Sequence, residues 1–257
     1  MRYDIKLKKG ADLEYLRESC KRLAKVLKET SAFIAPGVTT EEINQFVYNK
    51  IIAMGDKPAF LNYKPFGAAY PYPGSICISV NDEVVHGIGI NRVLKEGDIV
   101  GIDGGINHKG MISDSAVTVP VGKISDENKK LLEVTKNALM SGIKAAVCGA
   151  YVNDISRAIE KAIPKKYGIV KILSGHGVGY KVHEEPYVPN FDDGVKGPKL
   201  VPGMVLAIEP MVNMGTDEVY LADDGYTFVT VDHKNSAHFE HTILITEDKP
   251  EILTAWK

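Results

Sequence analysis

Two aspartates eleven residues apart, Asp103 and Asp114, are the first side chains in this sequence whose types and spacing could do chemistry. They lie in GDIVGIDGGINHKGMISDSAVTVP, residues 97–120. Ile99 to Gly105 and Met111 to Val119 are apolar, β-branched runs. Asn107-His108-Lys109-Gly110 between them is a polar turn ending in glycine, so the stretch reads as a β-hairpin. A turn centred between His108 and Lys109 sets Asp103 directly opposite Asp114, with Cβ atoms about 4.5–5.5 Å apart. Two anions opposed in strands that want burial repel each other, and a shared proton or a bound cation has to compensate. On the hairpin alone, two solvated aspartates on an edge ribbon account for the sequence equally well.

Other residues extend this pair. Shifting Gly97–Asp103 by 106 positions gives Gly203-Met204-Val205-Leu206-Ala207-Ile208-Glu209, with matching apolar positions and a carboxylate again at the end. Glu240-His241-Thr242-Ile243 likewise echoes Asp114-Ser115-Ala116-Val117. Between them, IVKILSGHGVGYKVHEE at 169–185 reads as a strand from Ile169 to Leu173. A glycine-flanked turn follows that presents His176, with His183 seven residues on. Two aspartates, two glutamates and one histidine make an oxygen-rich donor set with one nitrogen. It suits two divalent ions of the Mn, Fe, Co or Zn kind, held about 3.5–4 Å apart across a bridging water. A lone histidine in a turn is more often structural, so His176 gains its meaning from the carboxylates around it.

The elements that must position these residues are legible in outline. Leu13, Leu16, Cys20, Leu23 and Leu27 mark an amphipathic helix over 11–34, ended by Pro36-Gly37. TTEE from Thr39 to Glu42 is a capping box that opens a second helix with Ile43, Phe46, Val47 and Ile51 on its apolar face and Gly55 at its close. A loop rich in Pro, Tyr, Gly and Phe spans 56–75. Ile76–Val80 is a short strand turned by Asn81-Asp82-Glu83. A shift of 112 aligns Gly37 with Gly149, Ile43 with Ile155, Val47 with Ile159 and Ile51 with Ile163. Residues 11–120 and 125–246 therefore read as two similar halves, each two helices followed by strands. An approximate twofold would bring Asp103, Asp114, Glu209 and Glu240 together on its axis.

Composition removes several classes. The chain has 257 residues and a net charge of −2, with no basic block to point to a nucleic-acid partner. No run of about 18 apolar residues marks a membrane span, and the N-terminus lacks the apolar core of a signal peptide. Cys20, Cys77 and Cys148 are odd in number and lack CxxC spacing, which fits reduced thiols in a cytoplasm.

With these residues assembled, the chain resembles the type I methionine aminopeptidases of the pita-bread, M24-like metallopeptidase family over essentially its whole length. The resemblance rests on CISVNDEVVHG at 77–87, GDIVGIDGG at 97–105, SDSAVT at 113–118, GHGVGYKVHEEP at 175–186, GMVLAIEPMV at 203–212 and HFEHTILIT at 238–246. It implies an α+β pita-bread fold: one catalytic domain over 1–257, with a curved, mainly antiparallel sheet covered by helices on one face. It implies removal of the N-terminal, initiator methionine from nascent proteins and peptides, in protein maturation, by a hydroxide that bridges two metals. Asp103 would bind one metal, Asp114 and Glu240 would bridge both, and His176 and Glu209 would complete the other shell. Glu209 would also relay a proton from the attacking water to the leaving amine. His183 would face the scissile carbonyl, and His86 the substrate amide.

The resemblance further implies a methionine pocket from Phe60, Tyr63, Tyr72, Cys77, Val182 and Tyr226, apolar and thiol-lined to suit a flexible thioether. Val182 and Tyr226 stand where the family often carries larger aromatics, and the 65–71 loop is longer than the common one. Asn81, Glu83 and Ser236 match positions whose backbone binds a monovalent cation in relatives. The expected partner is a peptide with N-terminal methionine, met by a cytoplasmic monomer in transient association with the ribosome. Three alternatives stand beside this reading. A Xaa-Pro aminopeptidase or dipeptidase of the same fold would carry a large domain ahead of the first helix. A type II methionine enzyme would insert a helical segment late in the second half. A non-enzymatic pita-bread module would lose metal ligands. Among the other histidines, His108 and His233 are expected in solvated turns. Strand alternation turns His241 away from Glu240 and leaves His238 on the same side as Glu240.

Overall fold

The leucine stripe folds as α1 (Gly10–Phe33), with Leu16, Cys20, Leu23 and Leu27 buried. The capping box starts α2 (Thr40–Ala53): the Thr39 hydroxyl accepts the Glu42 N–H, and the Glu42 carboxylate accepts the Thr39 N–H. The structure, a computed structural model, describes residues 3–256. Beyond α2 come β1 (Lys57–Pro58), β2 (Cys77–Val80), β3 (Glu83–Val85), β4 (Ile99–His108) and β5 (Met111–Pro120). β4 carries β2 and β1 along one edge and β5 along the other, all antiparallel. Ile78, Val100, Ile102 and Ile106 pack against Leu23, Leu27, Ile43 and Val47 of the two helices. Each such side chain fully removed from water contributes about 1.5–3 kcal/mol.

The second half begins with α3 (Asp126–Ala145), capped by the Ser125 hydroxyl, and α4 (Val152–Ala162). Then follow β6 (Gly168–Ile169), β7 (Ser174–Gly177), β8 (Glu184–Pro189), β9 (Val205–Ile208), β10 (Met211–Asn213), β11 (Val219–Leu221), β12 (Phe228–Thr230), β13 (Ser236–His238), β14 (His241–Leu244) and β15 (Glu251–Ile252). One ladder runs β15-β14-β9-β7-β8; shorter ones join β13-β10-β6 and β11-β12-β3. Leu206, Ile208 and Ile243 pack against Leu131, Ala138, Ile155 and Ile159 of α3 and α4.

Equivalent points of the two halves share backbone conformation. Gly37 and Gly149 have φ of 91° and 89°, and Gly97 and Gly203 have 95° and 91°. Isolated bridges pair Thr39 with Val93 in one half and Tyr151 with Lys199 in the other. The halves meet along a seam between β5 and the β13–β14 segment. There Glu240 N–H donates to the Ala116 carbonyl, Ser115 Oγ to the Glu240 carbonyl and Thr118 Oγ1 to the His238 carbonyl.

Three expectations need correction. First, β4 runs through His108 and β5 starts at Met111, so only Lys109 and Gly110 turn, with φ of 51° and 88°. Two consecutive positive φ values are what a type I′ hairpin turn requires. The register therefore sets Asp103 opposite Ala116 and Asp114 opposite Gly105. The two aspartates are diagonal neighbours on one face, roughly 7–8 Å apart at the backbone, rather than directly opposed. Second, His108 is buried, not solvated. Its Nδ1 lies 2.7 Å from Asp56 Oδ1, while Arg22 holds Asp56 Oδ2 at 2.9 Å. Third, Ser174–Gly177 is a strand rather than a turn, and the strand before it covers only Gly168–Ile169. Gly175 and Gly177 permit this: a Cβ at either would come within 2.4 Å of a carbonyl oxygen, of Ala207 and Glu185 respectively.

Candidate metal centre and substrate cleft

Each acidic residue of the set reaches the site from a different irregularity or strand. Asp103 stands on β4 beside Cys77, its register partner on β2. Asp114 is on β5, and His176 is on β7 opposite Ala207. Glu209 sits where β9 breaks into β10, and Glu240 where β13 breaks into β14. Both flanking ladders, Ile208 with His241 and Met211 with His238, continue to a register that opposes Glu209 to Glu240. The structure gathers all five.

One candidate ligand atom from each of Asp114, His176 and Glu240 lies within 4.8 Å of the other two. Glu209 Oε1 approaches His176 Nε2 at 3.3 Å, and Asp114 Oδ2 approaches it at 3.9 Å. His176 Nδ1 lies 2.9 Å from the Gly177 carbonyl, which can only accept, so Nδ1 carries the proton and Nε2 keeps its lone pair. Nε2 and the carboxylate oxygens then face one another as acceptors. Asp103 Oδ1, Asp114 Oδ1 and Glu240 Oε1 are buried and have no hydrogen-bond partner among the described residues. Unpartnered acceptors around a metallatable nitrogen fit a divalent cation.

Electrostatics agree. Burial pushes Asp103 up to about 7, and it holds Glu209 well above the usual carboxylate range. Burial, then the neighbouring carboxylates, does the same to Asp114 and Glu240. Removing these anions from water costs free energy that a cation among them offsets. Burial also depresses His176 to about 3 and His86 to about 4, and lowers His183, so these rings are neutral near pH 7.

A cleft of about 270 Å³ opens onto the carboxylates. Phe60, Tyr72, Cys77, Val182 and Tyr226 pack together in its wall, with Tyr63 half-buried beside them. The Tyr72 hydroxyl donates to the Gly87 carbonyl at 2.8 Å, and the Tyr226 hydroxyl bonds the Tyr70 carbonyl. The long loop is thereby tied to the pocket wall, leaving Phe66 at its tip fully exposed. His183 stands at the mouth, its Nδ1 2.9 Å from the Tyr63 hydroxyl and its ring edge-on to His176 at 4.5 Å between centroids. His86 lines the same cleft with a left-handed φ of 61° and packs edge-on to Phe228. A non-glycine residue in that conformation stores strain of the kind found at functional sites.

Sequence reasoning missed part of the lining. Val85, Ile172, Leu173, Tyr187 and Met211 also face the cleft. Val85 and Met211 lie inside the CISVNDEVVHG and GMVLAIEPMV motifs, close to His86 and Glu209, and Tyr187 directly follows HEEP; Ile172 and Leu173 carried no such signal. His238 is buried with Nε2 3.6 Å from Glu209 Oε2, on the side that alternation gave it. His241 lies apart, bonding Thr254, and His233 is exposed beside Asp82. Asn81 and Ser236 meet through the Ser236 N–H and the Asn81 carbonyl at 2.8 Å. The Glu83 carboxylate is occupied by the Val80 N–H at 2.7 Å and Arg92 at 3.1 Å.

Fold and site together define a metallopeptidase: residues 14–247 match the model of metallopeptidase family M24, and the chain belongs to that family. The methionine aminopeptidase of Aquifex aeolicus is 46% identical over 97% of this chain and 98% of its own length. Methionine aminopeptidase 1 of Bacillus subtilis is also 46% identical, over 95% and 96%. The crystal structure of methionine aminopeptidase from Rickettsia prowazekii superposes with a TM-score of 0.93 at 37% identity, covering 98% of this chain and all of that one. The pita-bread fold expected from the resemblance is the fold observed. No helix among the described residues is long and apolar enough to cross a membrane.

Proposed function

We propose that this chain is a metal-dependent methionine aminopeptidase, a hydrolase that removes the N-terminal methionine from peptides and nascent proteins. The observation that carries the reading is the convergence of Asp103, Asp114, His176, Glu209 and Glu240 at the floor of a small apolar cleft. These five residues would hold two divalent ions, with Mn, Fe, Co and Zn all compatible with the donor set. When bound, the ions supply Lewis-acid charge that polarises the scissile carbonyl and makes water nucleophilic near neutral pH.

The chain's own groups do the rest. The Glu209 carboxylate takes the proton of the attacking water and passes it to the leaving amine. The Tyr63 hydroxyl and His183 Nδ1 share a hydrogen bond at 2.9 Å. In the tautomer where the hydroxyl donates, Nε2–H is left to face the scissile carbonyl oxygen as charge develops there. His86 orients the substrate amide from the other wall. Phe60, Tyr63, Tyr72, Cys77, Val182 and Tyr226 enclose the methionine side chain and exclude water around it. Asn81, Glu83 and Ser236 are read as a monovalent-cation position, where the backbone rather than the engaged Glu83 carboxylate would supply oxygens. We read the chain as a single catalytic domain, a cytoplasmic monomer that meets nascent chains in transient contact with the ribosome.

The deciding experiment strips the metal, restores single metals one at a time, and compares matched Met-Ala and Ala-Pro peptides. Metal-restored cleavage of the Met-Ala peptide is expected. Preference for Ala-Pro would overturn the methionine assignment, and full activity without metal would overturn the mechanism.

A further inference from the structure

Glu184 follows His183 directly, and its side chain is only 5% exposed. Its Oε1 accepts the N–H groups of Tyr180 and Lys181 at 2.6 and 2.9 Å, closing the 180–184 turn on itself. Its Oε2 accepts from Lys8 Nζ at 2.6 Å. Lys8 comes from the segment before α1, and its side chain is 1% exposed. The loop is fitted closely around it. A Cβ at Gly179, where φ is 140°, would stand 2.4 Å from Lys8 Cε. Lys8 Nζ lies 5.3 Å from the centre of the Tyr180 ring, whose hydroxyl donates to Asp12 on α1 at 2.8 Å. The Lys8 N–H is itself anchored on the Gly203 carbonyl at 2.8 Å.

A buried ion pair is a poor stability device, because taking both charges out of water offsets their attraction. What this one does is geometric. The loop it ties down carries Val182 of the pocket and His183, and the Tyr63 hydroxyl is the hydrogen-bond partner of the His183 ring on the cleft side. We propose that Lys8 is a positioning residue for His183, mooring the 179–184 loop through Glu184 so that the imidazole is held at the cleft mouth. The inference rests on the reading of His183 as the group that faces the scissile carbonyl. Of the metal ligands only His176 lies next to this loop: its neighbour Gly177 pairs with Glu184, and its ring packs edge-on to His183. The other four sit on other strands and breaks, so metal affinity is measured beside kcat.

The test compares Lys8→Met, which keeps the buried stem and removes the charge, with Lys8→Arg, with the charge-balanced Lys8→Met/Glu184→Gln pair, and with Lys8→Met in a His183→Ala background. Each is loaded with metal and measured for kcat and KM on a Met-Ala peptide, metal affinity by calorimetry, and thermal midpoint. Misplacing a catalytic group by about 1 Å costs on the order of a hundredfold. Lys8→Met is therefore expected to lower kcat roughly ten- to a hundredfold with metal affinity unchanged, and Lys8→Arg to recover much of the loss. In the His183→Ala background Lys8→Met is expected to cost nothing further. If Lys8→Met fails to fold, the charge-balanced pair leaves no buried charge unpaired and is expected to show the same loss and the same absence of further loss. Undiminished kcat in the Lys8 variants, beside a crippled His183→Ala enzyme, overturns the mooring role and leaves the site reading standing. An equal loss with and without His183 overturns it as well. Full kcat in His183→Ala alone overturns the role of His183 and this inference with it.

Discussion

Four clustered carboxylates around a neutral histidine, two of them buried and two largely so, cannot all stay ionised without a cation, and this dictates how the site responds to pH. Burial raises Asp103 to about 7, and it lifts Asp114, Glu209 and Glu240 well above their ordinary range. Below about pH 7 the metal-free cluster therefore holds protons that a metal must displace. Metal loading at pH 6 is expected to release protons, and both the release and the pH dependence of affinity should diminish as pH rises through 7. Calorimetry in buffers of different ionisation heat measures the number; metal binding with no proton release at pH 6 would count against the cluster. The stability of the metal-free protein follows the same groups. A carboxyl whose native pKa is raised stabilises the fold at low pH, and that contribution is lost as pH climbs from the unfolded value towards the native one. His86 and His176, depressed to about 4 and about 3, act in reverse, losing stability as pH falls below 6.5. Above 6.5 these histidines contribute nothing further while the raised carboxyls of the cluster still lose protons, so metal-free stability should fall as pH rises from there towards their native pKa values. At this scale the convergence of the five residues was legible, because carboxylates and a histidine recur at matching places in the two halves. His108 was misread because its partner Asp56 lies 52 positions away and nothing local announces it.

Strand alternation is a stronger guide to which face a residue occupies than turn composition is to register. Residue parity kept Asp103 and Asp114 on one face and His238 on the side of Glu240, and both placements hold. The turn was placed one step too early, because Asn107 and His108 look like turn residues yet pair with Ile112 and Met111 in the ladder. Asn107 instead caps the turn, its Oδ1 accepting the Gly110 N–H at 3.0 Å. The error cancels in parity, since the register moved by two residues and two residues preserve the face. It matters for what the turn does. The position of Asp114 is fixed from its other side, by Thr242 Oγ1 donating to the Asp114 carbonyl at 2.6 Å and accepting the Asp114 N–H at 3.3 Å. Gly110→Val, forced into a φ of 88°, should therefore cost about 1–3 kcal/mol of stability. Metal affinity should be unchanged. A thermal scan and a metal titration on the same variant separate the two, and weakened metal binding would show that the turn governs the register after all.

At the scale of the whole molecule the candidate metal centre lies between the two halves. Asp103 and Asp114 come from the first, and His176, Glu209 and Glu240 from the second. The duplication was legible because glycines that must take a positive φ recur at the offsets of 112 and 106. The seam was not, because it joins residues 128 positions apart through a threonine hydroxyl with no sequence signature. A ligand shared by both halves and bound only by the folded chain stabilises the whole. At a metal concentration of 100 times Kd the gain is about 2.7 kcal/mol, and each kcal/mol is worth roughly 2–4 °C in a chain of this size. Thr242→Val tests whether the seam sets the spacing of the ligands. The substitution nearly preserves shape, but it removes the donor to the Asp114 carbonyl and leaves a buried N–H unpaired, at about 1–3 kcal/mol. If the seam holds Asp114 against the Glu240 side, the variant should lose metal affinity as well as stability, and the rise in thermal midpoint on adding metal should shrink. A variant that melts earlier yet gains the full increment from metal would show that the ligands find their places without the seam, and that the two halves are held in register by the ion itself.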